Sequence, residues 1–213
     1  MGGEVPRGLP AKRAAVMRAA QEAFIQEGYG GASIDKIAAD AGVSKQTVYN
    51  HFGDKQRLFL AVVEAARAEA DAQSVVDDSL LRSPEHLKRD LTTLGTELLR
   101  VVLDERISAM RRLLIAEAAR HPELNDRCGG GGQGRGTIPR VVEWLTLRLA
   151  LLTVQGVLDV PDPEEAASHF VALLSFPGQQ QSNYGAQPLT EEQMEKLSRS
   201  AADLFLRAYR AQN

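Results

Sequence analysis

Ala38, Gly42 and Val48 stand four and six residues apart between short stretches that begin at Ser33 and Ser44, and this spacing leaves the chain little choice. Two short helices are expected to cross there at a tight turn. Ala38 is small enough to let them approach, and Gly42 can take the positive φ that reverses the chain. Val43, just before the Ser44 cap, can pack onto Val48 one turn into the second helix. In a chain of 213 residues, that device occupies a small part and leaves room for a second function.

Apolar residues recur at helical spacing along almost the whole chain, without the period-two alternation of a half-buried strand, so the fold is expected to be all-α. Val16, Ala20, Ala23 and Phe24 form one face of a first helix that stops at Gly28. Asp54 caps a helix carrying Leu58, Val62 and Ala65. Ser83-Pro84 opens another with Leu87, Leu91, Leu94, Leu98 and Val101 on one stripe. A helix from about Ile107 to Arg120 ends before Pro122, and the next runs from about Ile138 to Val157. Asp162-Pro163-Glu164-Glu165 and Thr190-Glu191-Glu192-Gln193 are capping boxes that open the last two helices, separated by a polar loop from Gly178 to Pro188. The expected division is an N-terminal arm over 1–10, a helix-turn-helix over 11–54 and a larger helical half over 55–213.

Composition removes several classes of function. A lone cysteine, Cys128, permits no intrachain disulfide framework and fits a reducing, cytoplasmic compartment. Met1 to Pro10 has no apolar run of a secretory leader, and Glu143 and Arg148 interrupt the most apolar later stretch, so no membrane partner is expected. The net charge of −3 is uneven: residues 1–60 hold eight Lys/Arg against six Asp/Glu, and the acidic excess lies in the rest. Bulk charge therefore does not coat nucleic acid, and any such binding must come from a shaped patch.

His51, His86, His121 and His169 show no metal spacing, no serine sits in a nucleophile elbow, and no cofactor, metal or enzymatic activity is expected. Gly129, Gly131 and Gly134 satisfy G-x-G-x-x-G. No strand precedes them and no phosphate-loop lysine follows, so the run reads as an insertion.

With Val48 and Phe52 packed inward, the second helix of the crossing turns Lys45, Gln46, Thr47, Asn50 and His51 outward. That face is all donors and acceptors. Gln and Asn can pair bidentately with adenine, Lys with guanine, and the threonine methyl can touch thymine, which suits a major groove. Tyr49 fits a phosphate better than a base, and Lys55 adds charge at the start of the next helix. Lys12 and Arg13 can reach a neighbouring phosphate or minor groove.

Through Phe24, Gly28-Tyr29, Ser33, Ile37-Ala38, Ala41-Gly42-Val43-Ser44, Thr47, Tyr49, Phe52, Lys55 and Leu58-Phe59, residues 12–60 resemble the tetracycline-repressor (TetR) family of transcriptional regulators. The second half, through RRLLIAEAARHPEL and DLFLRAY, is similar to AefR-like regulators. The resemblance implies nine helices, an N-terminal three-helix DNA-binding domain, a homodimer formed by the last two helices and a small-molecule effector pocket among the middle ones. It implies phosphate contacts at Ser33, Thr47, Tyr49 and Lys55 and base reading by Lys45, Gln46 and Asn50. One departure is CGGGGQGRG, where such proteins continue in helix and six glycines oppose it at about 1 kcal/mol each.

Two apolar sets remain. Phe170, Leu173, Leu174, Met194, Leu197, Ala201, Leu204 and Ala208 on the last two helices read as core or as a seam between copies, and the resemblance implies the seam. Trp144, Leu147 and Leu151 on the seventh helix, with Met110, Leu114 and Phe176, read equally as effector pocket or core. The expected function is a repressor released from a palindromic double-stranded operator by an unidentified effector. The alternatives are an activator or dual regulator with the same DNA geometry, or a helical interaction protein without an operator.

Overall fold

The structure, a computed structural model, describes residues 8–74, 77–118, 120–121 and 138–211. Among these residues there are nine α-helices: α1 (Leu9–Gly31), α2 (Ile34–Asp40), α3 (Lys45–Phe52), α4 (Lys55–Gln73), α5 (Leu87–Val102), α6 (Glu105–Ala118), α7 (Pro139–Val154), α8 (Pro163–Gln181) and α9 (Glu191–Tyr209). Their only extended pairing is an isolated bridge between Leu158 and Arg210. The all-α expectation holds. The glycine run, Cys128 and residues 1–7 of the expected arm lie outside the described residues.

The described residues pack as two units. One holds the chain to Ala66 together with α6 from Ala109 onward; the other holds Arg67–Ser108 and everything from α7 to the end. The first unit, the head, is thus larger than the 11–54 segment expected. Its core needs Leu58, Phe59, Val62 and Val63 of α4 and Met110 and Leu113 of α6 to cover Val16, Ala20, Phe24, Ile37 and Val48. Three helices of such short length bury too little apolar surface alone. Phe59 stands edge-on to Phe24 and to Tyr29, with ring centres 5.1 Å away in each case. On α4 the buried face is Leu58, Val62 and Ala66, and the expected Ala65 is exposed.

Gly28 sits at φ 74°, ψ 171°, a conformation closed to residues with a Cβ; α1, expected to stop there, instead kinks at Gly28 and continues to Gly31. Tyr29, just past the break, donates its backbone N–H to Glu117 Oε1 at 3.1 Å. Asp54 Oδ1 caps α4 by accepting from the Arg57 N–H at 2.7 Å.

In the second unit α5 runs alongside α9, and α8 packs against α5, α7 and α9. The α5–α9 approach is set by Gly95, where an added Cβ would lie 3.0 Å from Ser198 Cβ and 3.1 Å from Leu174. Asp162 caps α8 by accepting from the N–H groups of Glu164 and Glu165, and the Thr190 and Gln193 side chains cap α9 reciprocally. Contrary to the expected loop, α8 continues through Pro177 and Gly178 to Gln181. Gly178 permits this, because it faces Leu99 where a Cβ would stand 2.7 Å from the leucine.

The apolar sets of the later helices are placed differently from expectation. Phe170, Leu174, Met194 and Ala201, expected on an intersubunit seam, are buried in the core of their own unit, and Leu197 is half-buried against it. Phe170 packs edge-on against Phe205 of α9, with ring centres 5.4 Å apart. Leu204 and Ala208 are exposed and Leu173 is half-buried.

Met110 and Leu114, expected with the effector pocket, pack in the head core. Leu147, Leu151 and Phe176 are 67, 53 and 67% exposed, so they do not wall an enclosed cavity among the described residues. On α7 they fall opposite the buried Val141, Leu145, Leu149 and Leu152. Trp144 is half-buried, and its indole N–H donates to Asp78 Oδ1 at 2.9 Å.

Candidate nucleic-acid interface

α2 and α3 are short because their ends are written into the sequence. Gly42, at φ 65°, turns the chain, with the Val43 N–H closing onto Ala38 O at 3.0 Å. Ser44 then caps α3, accepting from the Thr47 N–H at 3.1 Å, while its hydroxyl lies 2.8 Å from that of Thr47. Gly53, at φ 83°, ends α3. Val48 and Phe52 are buried, which rotates Lys45, Gln46 and Asn50 fully outward and leaves Thr47 and His51 half-exposed.

The exposed row is already organised. Gln46 Nε2 donates to Asn50 Oδ1 at 2.8 Å, one turn along the helix. The pair keeps the Gln46 carbonyl as an acceptor and the Asn50 amide nitrogen as a donor, the complement of the adenine N6–H and N7 edge. Lys45 reaches back across the turn to Asp35 of α2 at 3.0 Å. That carboxylate hydrogen-bonds and attracts the ammonium and raises its pKa above the ordinary lysine value.

The residues expected at the backbone lie on other positions of the head. Ser33 occupies the N-cap position of α2, exposed, with no cap bond from its side chain. Tyr49 is 38% exposed on α3. Arg13 of α1 lies over the Phe52 ring, 5.2 Å from its centre, while Lys12 is half-exposed beside it in sequence.

Lys55 donates to Gly30 O at 3.0 Å with its ammonium 5.0 Å from the Tyr29 ring centre. Burial lowers its pKa from the ordinary lysine value, and the charge of Glu117 opposes that shift. The head therefore gathers all nine expected DNA-contact residues on α1 to α4.

Two residues that matter here escaped sequence reasoning. Asp35 lies ten positions before Lys45 on another helix, and no local rule pairs them. Glu117, 5% exposed, lies 88 residues from the Tyr29 N–H that it accepts. Only the capped α2–α3 crossing could have hinted at the first, and nothing in the sequence at the second. Among the described residues no group of three or more His, Cys, Asp or Glu could hold a metal ion, and no helix is long and apolar enough to cross a membrane.

Comparison with known proteins adds an independent line. Residues 16–62 match the family of bacterial regulatory proteins, tetR family, and residues 89–211 match the AefR-like transcriptional repressor, C-terminal domain. A TetR-family transcriptional regulator from Mesorhizobium loti superposes with a TM-score of 0.75 at 30% identity, over 96% of this chain and 99% of that one. The flavonoid-responsive regulator FrrA gives the same TM-score at 26% identity, over 96% and 100% of the two chains.

The transcriptional repressor SCO4008 of Streptomyces coelicolor is 31% identical over 130 residues, covering 60% of this chain and 68% of that protein. The transcriptional activator FasR of Mycolicibacterium smegmatis is 43% identical over 63 residues, which span 28% of its length.

Proposed function

Because the chain belongs to the tetR family of bacterial regulatory proteins, with a C-terminal half of the AefR-like type, we propose that it is a ligand-responsive transcriptional repressor that binds a DNA operator as a homodimer. The observation that carries this reading is the solvent-facing row Lys45, Gln46 and Asn50 on a helix whose other side is buried. A major groove accepts such a helix, and base edges need the donors and acceptors that the row presents.

Homology to a named repressor supports the direction of control, and structural likeness to a flavonoid-responsive regulator supports the effector. Two recognition helices related by a twofold axis would read a palindrome with half-sites about 34–36 Å apart or somewhat more. α4 and α6 each run from one unit into the other, giving effector-linked change a continuous route to the head. A coupling of about 1–3 kcal/mol suffices to switch a promoter, and DNA must weaken effector binding by the same amount.

The match of the head to a named activator supports a second reading, an activator or dual regulator with the same DNA geometry. The position of the operator relative to its promoter separates the two.

The test is a mobility shift of the DNA flanking the gene, across a salt series and with candidate small molecules. With about four phosphate contacts per subunit, log affinity falls against log salt with a slope near −7. Absence of any shift, or a flat salt response, overturns the reading.

A further inference from the structure

α7 carries apolar side chains on two opposite faces. Val141, Leu145, Leu149 and Leu152 are buried in the core of their unit, as one stripe of a packed helix should be. Leu147, Leu151 and Val154, at i, i+4 and i+7, make a second stripe that is 67, 53 and 87% exposed. Arg148, on the same helix, is engaged elsewhere: it donates to Asp78 at 3.0 Å and lies over the Trp144 ring. A water-facing row of this kind marks a surface meant to be covered.

We propose that this second stripe is buried against a second copy of the chain, so that α7 joins α8 and α9 in the twofold interface. The inference rests on the homodimer reading above. Continuity names the occupant. α8 packs against both α7 and α9, and the short connection over 155–162 sets α7 and α8 side by side in opposite senses.

α8, the neighbour of α7, also forms with α9 a groove of about 560 Å³ lined by Leu173, Phe176, Leu204 and Ala208. Phe176 is 67% and Leu204 51% exposed. These alone form a narrow apolar centre for an interface of about 800 Å² a side, and the α7 stripe widens it with side chains of the same character. A small molecule is a poorer occupant, because ligands are held in concave sites that surround them rather than along the outside of one helix.

Sedimentation equilibrium of the full chain tests this with two kinds of variant. Leu204→Glu probes the α8–α9 groove; Leu151→Glu and the milder Leu147→Ala/Leu151→Ala pair probe α7, with circular dichroism to establish that each variant is folded. These α7 positions are exposed, so the alanine pair keeps the fold. We expect Leu151→Glu to raise the dimer dissociation constant at least about tenfold and the alanine pair about fivefold.

If Leu204→Glu dissociates the dimer while both α7 variants associate as the parent does, the α7 proposal is overturned and the homodimer stands. The α7 proposal fails in the same way if its variants lose only the effector response. If the parent is a dimer that no variant weakens, the α7 proposal is overturned; if the parent is monomeric, the homodimer reading fails and the inference fails with it.

Discussion

The Tyr29 N–H donates to Glu117 Oε1 at 3.1 Å, so the last turn of α6 satisfies the backbone where α1 breaks at Gly28. His121 stands edge-on to the Tyr29 ring at 4.9 Å, and the Lys55 ammonium lies 5.0 Å from the centre of that ring. One aromatic residue thereby joins α1, α4 and the end of α6 within the head.

Two substitutions measure this joint. Gly28→Ala meets both a left-handed backbone and Glu117 Oε1, which would stand 3.0 Å from the new Cβ. It should destabilise the head by about 1–3 kcal/mol in denaturant unfolding. Glu117→Ala removes the acceptor from a part-buried N–H and should cost about 1–3 kcal/mol. Wild-type stability for both variants would show that the joint is dispensable.

At the α5–α9 crossing, Gly95→Ala brings a methyl against Ser198 Cβ, which is fixed to the α9 backbone and cannot swing aside. The gain in helix propensity is at most about 1 kcal/mol, so the expected net change is a loss of about 1–2 kcal/mol. The second substitution Ser198→Gly in the same chain should recover part of that loss, and thermal melting of the three variants gives the coupling. Equal losses with and without the serine would place the strain elsewhere.

On the reading face, Asn50→Ala should change preference at particular base pairs by about 1–3 kcal/mol, whereas Tyr49→Phe should weaken binding to all sequences alike. Asp35→Ala acts in the opposite direction. It releases Lys45 and removes a negative charge from the DNA side of the head. Affinity for any duplex should rise about threefold to tenfold, and the salt slope should steepen by about 1. Weaker binding by this variant would mean that Asp35 holds Lys45 in its reading position.

Acid should loosen the segment before α5. The carboxylate of Asp78 accepts from the Trp144 indole and from Arg148, and these bonds, the indole first, hold its pKa below the ordinary aspartate value. A carboxyl depressed in the folded state contributes its full stability above the unfolded value near 3.8 and loses it as pH falls through the lower folded value. Trp144 is the only tryptophan, so its fluorescence should change in that acid window and remain flat between pH about 5 and 8. Asp78→Asn should abolish the acid step; a step that survives in the variant would assign it to another group.

What the sequence determined by itself was local. The α2–α3 crossing, the caps at Ser44, Asp54, Asp162 and Thr190, the break at Gly28 and the outward row on α3 all follow from residues only about three to six positions from the next. Helical period and cap chemistry act over that distance, and the observed elements match them to within a few residues at their ends.

What only the tertiary structure decided was which apolar stripe meets which partner. Phe170, Leu174, Met194 and Ala201 turned inward, and Leu147, Leu151 and Phe176 stayed in solvent, although every one lies on a stripe with the same periodicity. Periodicity states that a face is apolar and is silent on what covers it. The pairings of Asp35 with Lys45 and of Tyr29 with Glu117 have the same character: each depends on where separate helices come to rest, and no spacing along the chain encodes that.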